Sequence, residues 1–253
     1  MASDESNTVY VVTGGNRGLG LGLVKALLAR PAVTVIATVR SEEASVILKN
    51  ETTDAVKGNG SNIHSVLLDF STAVAPEQVR QVVTAVGVNR VDVLINNAGG
   101  AQPMVPALTT TAEDLRAAFE TNTIAPLLVF QGLWPLMQKS SSPKLFMMSS
   151  SVGSISEMES VPGGAYGPSR CAQNWLTKAI HQENRDSGLI AIALHPGWVQ
   201  TRAGQFVADQ WGYSRGPPDT IETSVEGMLE VIDGVTKEMS GMFVTSKGKT
   251  LGW

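Results

Sequence analysis

Seven short runs rich in apolar and β-branched residues recur along the chain, and segments of helical character separate most of them. The runs are residues 9–12, 33–39, 63–68, 91–95, 145–148, 189–194 and 242–244. Helices are predicted at 19–29, 76–86, 112–139, 166–186 and 222–233. Strands that alternate with helices indicate a parallel sheet covered on both faces. We therefore expect an α/β fold with a doubly wound parallel sheet.

Length and charge limit the organisation and the partners of the chain. With 253 residues, of which 43% are hydrophobic, it suits one sizeable domain, 1–253. A net charge of −4 without a Lys/Arg-rich run argues against nucleic acid and anionic membranes and favours a small-molecule partner. The first seven residues lack the features of a secretory signal, and Cys171 as the single cysteine allows no internal disulfide. A cytoplasmic protein is expected.

A glycine-rich turn joins the first predicted strand to the first predicted helix. It reads Thr13-Gly-Gly-Asn-Arg-Gly-Leu-Gly20. Glycines here let the backbone turn sharply and approach a pyrophosphate, whose charge is met by N–H groups at the helix N-terminus. The spacing G-x-x-x-G-x-G differs from the usual dinucleotide pattern G-x-G-x-x-G. A turn that only packs a helix tightly against a sheet is the structural alternative.

Two arginines surround the expected adenosine end of such a cofactor. The second strand is followed by Arg40, where an acid would otherwise bind the ribose 2′-hydroxyl of NAD. Together with Arg17 it forms a potential clamp for a 2′-phosphate, which favours NADPH over NADH. Either arginine is also compatible with an ordinary surface charge.

A phenol and a cation stand four residues apart, at Tyr166 and Arg170, where a helix is expected to begin. This spacing places both side chains on one helix face. A neighbouring cation favours the phenolate, which allows a tyrosine to act as a general acid or base. Lysine is the expected cation for this role, so the arginine is unusual.

Asn122 and Pro126 lie within the long helical segment 112–139. Proline has no N–H for the carbonyl four residues earlier, which belongs to Asn122, and its ring crowds that carbonyl. A carbonyl freed in this way is suited to hold a water that relays protons. A kink without function is the alternative.

Five motifs in order resemble those of the short-chain dehydrogenase/reductase family, over nearly the whole chain, and imply its Rossmann-like fold. They are Thr13-Gly14-x-x-x-Gly18-x-Gly20, Leu68-Asp69, Asn96-Asn97-Ala98-Gly99, Ser149-Ser150-Ser151-Val152-Gly153 and Pro196-Gly197-Trp198-Val199-x-Thr201. The stretch 169–198, the spacing between Ser150 and Tyr166, and the ending Leu251-Gly252-Trp253 look most like the carbonyl-reductase branch that includes fungal norsolorinic-acid-type ketoreductases.

The resemblance implies a catalytic tetrad of Asn122, Ser150, Tyr166 and the position of Arg170. The family has lysine at the fourth position, where it lowers the tyrosine pKa, holds the nicotinamide ribose and passes protons inward. Arginine keeps the charge but hardly ever deprotonates, so proton delivery is expected to be impaired. The implied NADP-binding residues are Gly14, Asn16, Arg17, Gly18, Leu19, Gly20, Arg40, Asp69, Asn96, Ala98, Gly99, Tyr166, Arg170, Pro196, Gly197, Val199 and Thr201. No metal site is expected.

Residues 198–220 form a loop that we interpret as a substrate lid. Its aromatic residues predict a bulky, flat, largely apolar substrate, although they are equally suited to a small core that packs the lid onto the domain. The acids Asp219, Glu157 and Glu159 are candidates to face a cationic substrate, or are simply solvated. The predicted substrate residues are Trp198, Phe206, Trp211, Tyr213 and Asp219.

Three functions remain open from the sequence. The first is NADPH-dependent, stereoselective reduction of a bulky carbonyl or iminium in secondary metabolism. The second, suggested by a looser resemblance to reductases of fungal indole-alkaloid pathways, is iminium reduction followed by guidance of an intramolecular cycloaddition. The third is a scaffold that binds NADPH without catalysis. The apolar excess of 112–139 and 166–186 predicts a homodimer or homotetramer.

Overall fold

The computed structural model describes residues 7–72 and 74–253, so most of the polar N-terminal start lies outside the described residues. Within them one sheet contains eight strands. These are β1 (Thr8–Val12), β2 (Val33–Val39), β3 (Asn62–Leu67), β4 (Val93–Asn96), β5 (Lys144–Met148), β6 (Ile190–His195), β7 (Phe243–Thr245) and β8 (Thr250–Leu251).

The α-helices of the described residues connect these strands. They are α1 (Gly18–Leu28), α2 (Glu42–Thr53), α3 (Pro76–Thr84), α4 (Ala112–Phe119), α5 (Ala125–Met137), α6 (Tyr166–Glu183), α7 (Arg202–Gln210) and α8 (Ile221–Gly234). None of these helices combines the length and the apolar content that a bilayer crossing requires.

The strand order confirms the expected doubly wound sheet. It is β3-β2-β1-β4-β5-β6-β7-β8, with β1 to β7 parallel and β8 antiparallel to β7. From β1 the chain first builds outward through β2 and β3 and then returns to place β4 on the other side. Ligands of such sheets bind at this reversal, outside the carboxyl ends of the strands.

Neighbouring residues of the central strand face two separate hydrophobic cores. Val12 packs with Leu23 of α1 and Met228 of α8 on one face of the sheet. Val11 packs with Val79 of α3 and Leu133 of α5 on the other. This alternation follows from the two-residue period of a strand, and it explains why the central strands are nearly continuous apolar runs.

Three elements differ from the sequence-based expectations. Helix α2 was not predicted; its apolar positions are few, and it begins at the N-cap Ser41, whose hydroxyl accepts the Ala44 N–H at 3.3 Å. Helix α7 occupies part of the segment predicted as loop, capped by the Thr201 hydroxyl. Strand β8 has only two residues, which is too short for periodicity to detect.

The segment predicted as one helix at 112–139 is interrupted next to Pro126, the proline expected to disturb it. Helices α4 and α5 are joined by a π-helical turn, Glu120–Ile124, which ends two residues before Pro126. Proline removes one helical hydrogen bond and crowds the preceding turn, which accounts for this irregularity. Asn122 lies inside the turn and is fully buried.

Candidate active site

Four of the five predicted motifs lie in the loops after the carboxyl ends of β1, β4, β5 and β6, and the fifth, Leu68-Asp69, follows β3. Since these strands are neighbours and parallel, the four loops meet at one edge of the sheet. The N-terminal ends of α1 and α6 reach the same edge, because each helix follows one of these loops. The topology therefore brings the glycine turn, the asparagine segment, the serine segment and Tyr166 together.

The glycine turn has a backbone shape that side chains would disturb. Gly14 and Gly18 have φ angles of +68° and +54°, in the left-handed region that glycine tolerates without a penalty. At Gly20 an added Cβ would collide with the Gly14 carbonyl and lie 2.6 Å from Asn97 Nδ2. Asn16 and Leu19 are half-buried in the same turn. The turn therefore leaves its backbone open to a close ligand.

Side chains at the carboxyl ends of β2 and β4, the strands on either side of β1, hold this turn in place. The Thr38 hydroxyl at the end of β2 accepts the Gly14 N–H at 3.2 Å. Asn97 Nδ2 donates to the Thr13 carbonyl at 2.8 Å, and the Thr13 hydroxyl accepts the Ala98 N–H at 2.8 Å. Asn97, for which the motif alone indicated no role, thus anchors the turn to the end of β4.

Helix α1 presents an uncapped N-terminus beside two exposed arginines. Its N-cap residue Arg17 makes no side-chain hydrogen bond to the helix, and its first turn contains no acid. Arg40 follows β2 and is also exposed. The Val39 carbonyl accepts the Leu68 N–H at 2.8 Å, which brings the following residues Arg40 and Asp69 to the same place at the sheet edge. Two hydrogen bonds from Ser71 lower the pKa of Asp69, and the charge of Arg40 lowers it further. Unpaired helix N–H groups with nearby cations form an anion site.

Tyr166 and Arg170 stack at the start of α6. The guanidinium carbon of Arg170 lies over the Tyr166 ring, 5.0 Å from its centre. Arg170 is buried, and its Nη1 donates to the Met148 carbonyl and to Gln173 Oε1, each at 2.7 Å. Its Nη2 lies against Gly99, where an added Cβ would collide with it. The arginine charge is therefore directed at the ring face of the tyrosine.

Ser150 follows β5, at the start of the serine segment that packs against α6. Its hydroxyl accepts the Val152 N–H at 3.3 Å. A Cβ added to Gly167, next to Tyr166, would lie 3.2 Å from the Val152 carbonyl. A Cβ added to Gly153 would lie 2.7 Å from Arg170 Cβ. The serine segment and the first turns of α6 therefore pack at glycine contact distance.

Asn122 ties the loop after β4 to α6. Its Oδ1 accepts the Gly100 N–H at 3.0 Å, and its Nδ2 donates to the Gly100 carbonyl at 3.2 Å and to the Ser169 hydroxyl at 3.1 Å. The side chain is thereby fully engaged in holding the loop that follows Gly99.

The remaining predicted cofactor residues lie around the same edge. Asn96 is buried in the sheet and donates to the Pro126 carbonyl at 3.0 Å. Gly197 has φ +92°, and the Pro196 carbonyl before it accepts the Ser224 hydroxyl at 2.7 Å. Val199 is buried. Thr201 approaches the glycine turn, because its Cγ2 lies 3.6 Å from the Cβ position of Gly18.

The aromatic residues of 198–220 contact one another. Trp198 meets Trp211 edge to face at a ring distance of 5.6 Å and Tyr213 at 5.1 Å. Trp211 Nε1 donates to the Pro162 carbonyl at 3.1 Å, which joins this segment to the loop before Tyr166. The three rings form the small core that was one of the two sequence interpretations. Phe206, on α7, is exposed.

Two of the three candidate acids hold backbone in place. Asp219 Oδ2 accepts the Trp198 N–H at 3.2 Å, and its Oδ1 pairs with Lys247 at 3.3 Å. Glu157 accepts the Gly252 N–H at 2.7 Å and so fixes the C-terminal residues. Glu159 is exposed. Asp219 therefore joins the two ends of the 198–220 segment by its hydrogen bond to Trp198.

His195 lies at the end of β6 beside the serine segment. Its Nδ1 accepts the Ser151 N–H at 3.3 Å. Burial lowers the pKa of His195 to about 4, against the opposing influence of Glu159 and Asp219. A neutral imidazole can accept this hydrogen bond, whereas a protonated one cannot.

Sequence reasoning missed a polar stripe on the buried face of α6. Gln173 and Asn174 are one turn from Arg170 and almost without exposure. Asn174 Oδ1 accepts the Ser149 hydroxyl at 2.5 Å, and its Nδ2 donates to the Gly153 carbonyl at 3.3 Å, so it holds the serine segment on both sides of Ser150. The signal in the sequence was polar residues at helical spacing, 170, 173, 174 and 177, on a helix expected to be buried.

The chain is similar to known proteins over nearly its full length. A short-chain dehydrogenase of Pyricularia oryzae is 36% identical, covering 98% of this chain and 99% of the relative. A norsolorinic acid ketoreductase of Emericella nidulans is 34% identical, covering 99% and 95%. The crystal structure of NADPH-bound carbonyl reductase from chicken fatty liver matches with a TM-score of 0.81 and 30% identity, covering 98% and 99%. The model of the family described as short chain dehydrogenase matches residues 8–211, and the chain belongs to that family.

Proposed function

We propose that this protein is an NADPH-dependent, stereoselective reductase of a bulky, largely apolar carbonyl compound in secondary metabolism. The observation that carries the proposal is the buried cation of Arg170 stacked on Tyr166, next to the segment that bears Ser150. A phenol with a fixed cation at its ring face is suited to exchange a proton with a substrate oxygen.

The donor set at the sheet edge fits a dinucleotide phosphate. The glycine turn provides the close backbone approach, and the uncapped N-terminus of α1 meets a pyrophosphate. The exposed Arg17 and Arg40 suit a 2′-phosphate, and Asp69 beside Arg40 suits the adenine. The carbonyl reductase from chicken fatty liver, which is 30% identical, binds NADPH.

Each residue of the site has a separate role in the proposed reaction. When bound, NADPH supplies the hydride. Tyr166 donates the proton to the substrate oxygen, and Ser150 positions that oxygen by a hydrogen bond. Arg170 biases Tyr166 toward proton exchange and leaves Nη2, beside Gly99, as a donor for the ribose. Asn122 maintains the loop after β4 and anchors a water from the π-helical turn.

Exposed apolar side chains near the start of α6 support a bulky apolar substrate. Ile155 and Met158, in the loop between Ser150 and Tyr166, are 66% and 71% exposed. Phe206 and Tyr213 are exposed on the 198–220 segment, which Trp211 joins to the same loop. Exposed large apolar groups lose unfavourable contact with water when a flat apolar ligand binds against them.

Iminium reduction, with or without a following cyclisation, is the second candidate. It is favoured by Arg170, because an arginine is a poor proton relay and hydride transfer to an iminium carbon needs no proton. The engagement of Asp219 with Lys247 and of Glu157 with Gly252 disfavours it, because those carboxylates are then less available to a cationic substrate. Relatives named as ketoreductases also favour a carbonyl.

We also propose that the protein is a cytoplasmic homodimer or homotetramer. On α6, Trp175 is 70% exposed, and Ile124 is 39% exposed at the turn before α5. Large apolar side chains on these helices suit an isologous contact between two copies.

The direct test is NADPH oxidation by the purified protein with two substrate panels, aryl ketones and cyclic iminium ions. Turnover of bulky ketones with a preference for one alcohol enantiomer is the expected result. Turnover of iminium ions alone would assign the second function. Binding of NADPH without turnover of either panel would assign the non-catalytic scaffold.

A further inference from the structure

The buried face of α6 contains a polar residue, Gln173, that has no role in the proposed reaction. Gln173 is 0% exposed, and its Oε1 accepts from Arg170 Nη1 at 2.7 Å. Burying an amide in a helix–sheet interface is unfavourable unless its polar atoms have partners. The side chain therefore has a reason to be there other than packing.

Gln173 and the Met148 carbonyl together determine where the guanidinium of Arg170 lies. Both accept from the same nitrogen, Nη1, at 2.7 Å. Two acceptors on one nitrogen fix the plane of the guanidinium and bring its carbon over the Tyr166 ring. An arginine with only the Met148 carbonyl would retain one contact and several alternative side-chain rotamers.

In this arrangement two other hydrogen-bond donors of Arg170 and Gln173 make no hydrogen bond to the part of the chain that the structure describes. Among the described residues, Arg170 Nε and Gln173 Nε2 are buried and have no hydrogen-bond partner. A side chain free to choose its rotamer would avoid such a loss, because buried unpaired donors are costly. The arrangement is thus set by the contact between Gln173 and Arg170 and by the stack on Tyr166, rather than by the best satisfaction of every donor.

We propose that Gln173 is a positioning residue that holds the guanidinium of Arg170 over the ring of Tyr166. Arg170 and Gln173 then function as one unit, and an arginine at 170 requires an acceptor at 173. The proposal rests on the proposed reductase function of Tyr166. It also predicts why a lysine at 170 would be a poor replacement by itself: the buried Oε1 of Gln173 would draw the ammonium toward α6 and away from the phenol.

Isosteric variants separate positioning from packing. Gln173→Glu keeps an acceptor for Arg170, whereas Gln173→Met keeps the length of the side chain and removes the acceptor. Thr177→Val is the matched control, because Thr177 lies one turn further on the same buried face and its hydroxyl bonds only the Gln173 carbonyl, at 2.9 Å, among the described residues.

Steady-state kinetics with saturating NADPH is the first measurement. If Gln173 and Arg170 are coupled, we expect Gln173→Met to lower kcat about tenfold with little change in the substrate KM. Gln173→Glu should retain most of the wild-type kcat, and the kcat of Thr177→Val should be close to that of wild type. Arg170→Lys should be slower than wild type, and Arg170→Lys with Gln173→Met should be faster than Arg170→Lys alone. Equal losses for Gln173→Met and Thr177→Val, or additive effects in the double variant, would overturn the proposal.

A second measurement does not depend on turnover. The NMR signal of the Arg170 Nε–Hε group, assigned by its loss in Arg170→Lys, should be sharp in wild type and in Gln173→Glu. It should be shifted or broadened in Gln173→Met and unchanged in Thr177→Val. If neither the wild type nor any variant has activity but the NMR signals change in this way, the proposed function is wrong and Gln173 still positions Arg170. An unchanged Nε–Hε signal in Gln173→Met refutes the positioning role.

Discussion

The guanidinium carbon of Arg170 lies 5.0 Å from the centre of the Tyr166 ring, while its Nη1 is bonded to the Met148 carbonyl. The cation therefore lies against the ring face of the phenol, and part of its donor capacity holds the end of β5 beside the serine segment. A single residue thus links the proposed proton donor to the strand that precedes Ser150.

Replacement of Tyr166 by phenylalanine tests the proton donor. With a ketone substrate, Tyr166→Phe should lower kcat by about 10²–10⁴-fold, the usual contribution of a general acid. Tyr10, which is buried in β1 and has no role in the proposed site, supplies the control Tyr10→Phe, which should retain kcat. A Tyr166→Phe variant that still reduces iminium ions at nearly the wild-type rate would instead assign iminium reduction.

Cofactor preference should depend on Arg40. We expect NADPH to bind more tightly than NADH by about 1.5–3 kcal/mol, the range for hydrogen bonds to a charged group. Arg40→Asp should narrow or invert this margin in a fluorescence titration, because it replaces a cation with an anion near Asp69. Arg185→Asp, at an exposed position between α6 and β6, should leave it unchanged. Equal dissociation constants in wild type would contradict the prediction.

Gly20 should not tolerate a side chain. Gly20→Ala brings a Cβ into the Gly14 carbonyl and near Asn97, so we expect a loss of about 1–3 kcal/mol of unfolding free energy and of NADPH affinity. At Gly234, the last residue of α8, an added Cβ meets no atom within 4 Å. Gly234→Ala should therefore change stability by at most about 1 kcal/mol and not affect NADPH. Urea denaturation and isothermal titration of both variants provide the comparison.

Acid should destabilise the protein through His195. The pKa of His195 is lowered from 6.5 to about 4 in the folded protein, so below 6.5 the unfolded chain binds a proton that the folded chain does not. The stabilisation is present above about pH 6.5 and is lost as pH falls toward 4, by about 3 kcal/mol in total.

His195→Asn keeps a short polar side chain without this titration. The difference in unfolding free energy between pH 7.5 and pH 4.5 should be smaller in His195→Asn than in wild type by about 2–3 kcal/mol. Burial also lowers the pKa of His64 and His181, whose contributions are shared by both proteins and cancel. An identical pH dependence in the two proteins would show that His195 is not the group responsible.

Assembly should depend on the exposed face of α6. We expect a dimer or tetramer at micromolar concentration, and Trp175→Glu, which places a charge at a 70% exposed tryptophan, should produce smaller species. Val56→Glu is the control, because Val56 is 74% exposed in the loop after α2. Sedimentation velocity on the three proteins measures the effect, and a monomeric wild type would rule out the assembly.

The sequence by itself determined the sheet and the edge at which the site forms. The apolar strand runs, the glycine turn after β1 and the proline at 126 are local signals, because they act through backbone geometry and burial of the strands' own side chains. The same reasoning predicted that Tyr166 and Arg170 share a helix face, and the structure places them in contact.

Only the tertiary structure decided which polar groups meet. Gln173 reads as one more polar residue of a helix until α6 docks on β5 and buries it against Arg170. Asp219 reads as a loop acid until the fold brings the Trp198 N–H and the Lys247 ammonium to its carboxylate. Such pairings depend on distances across the fold, and the two-residue and 3.6-residue periods of strands and helices specify only which face a residue occupies.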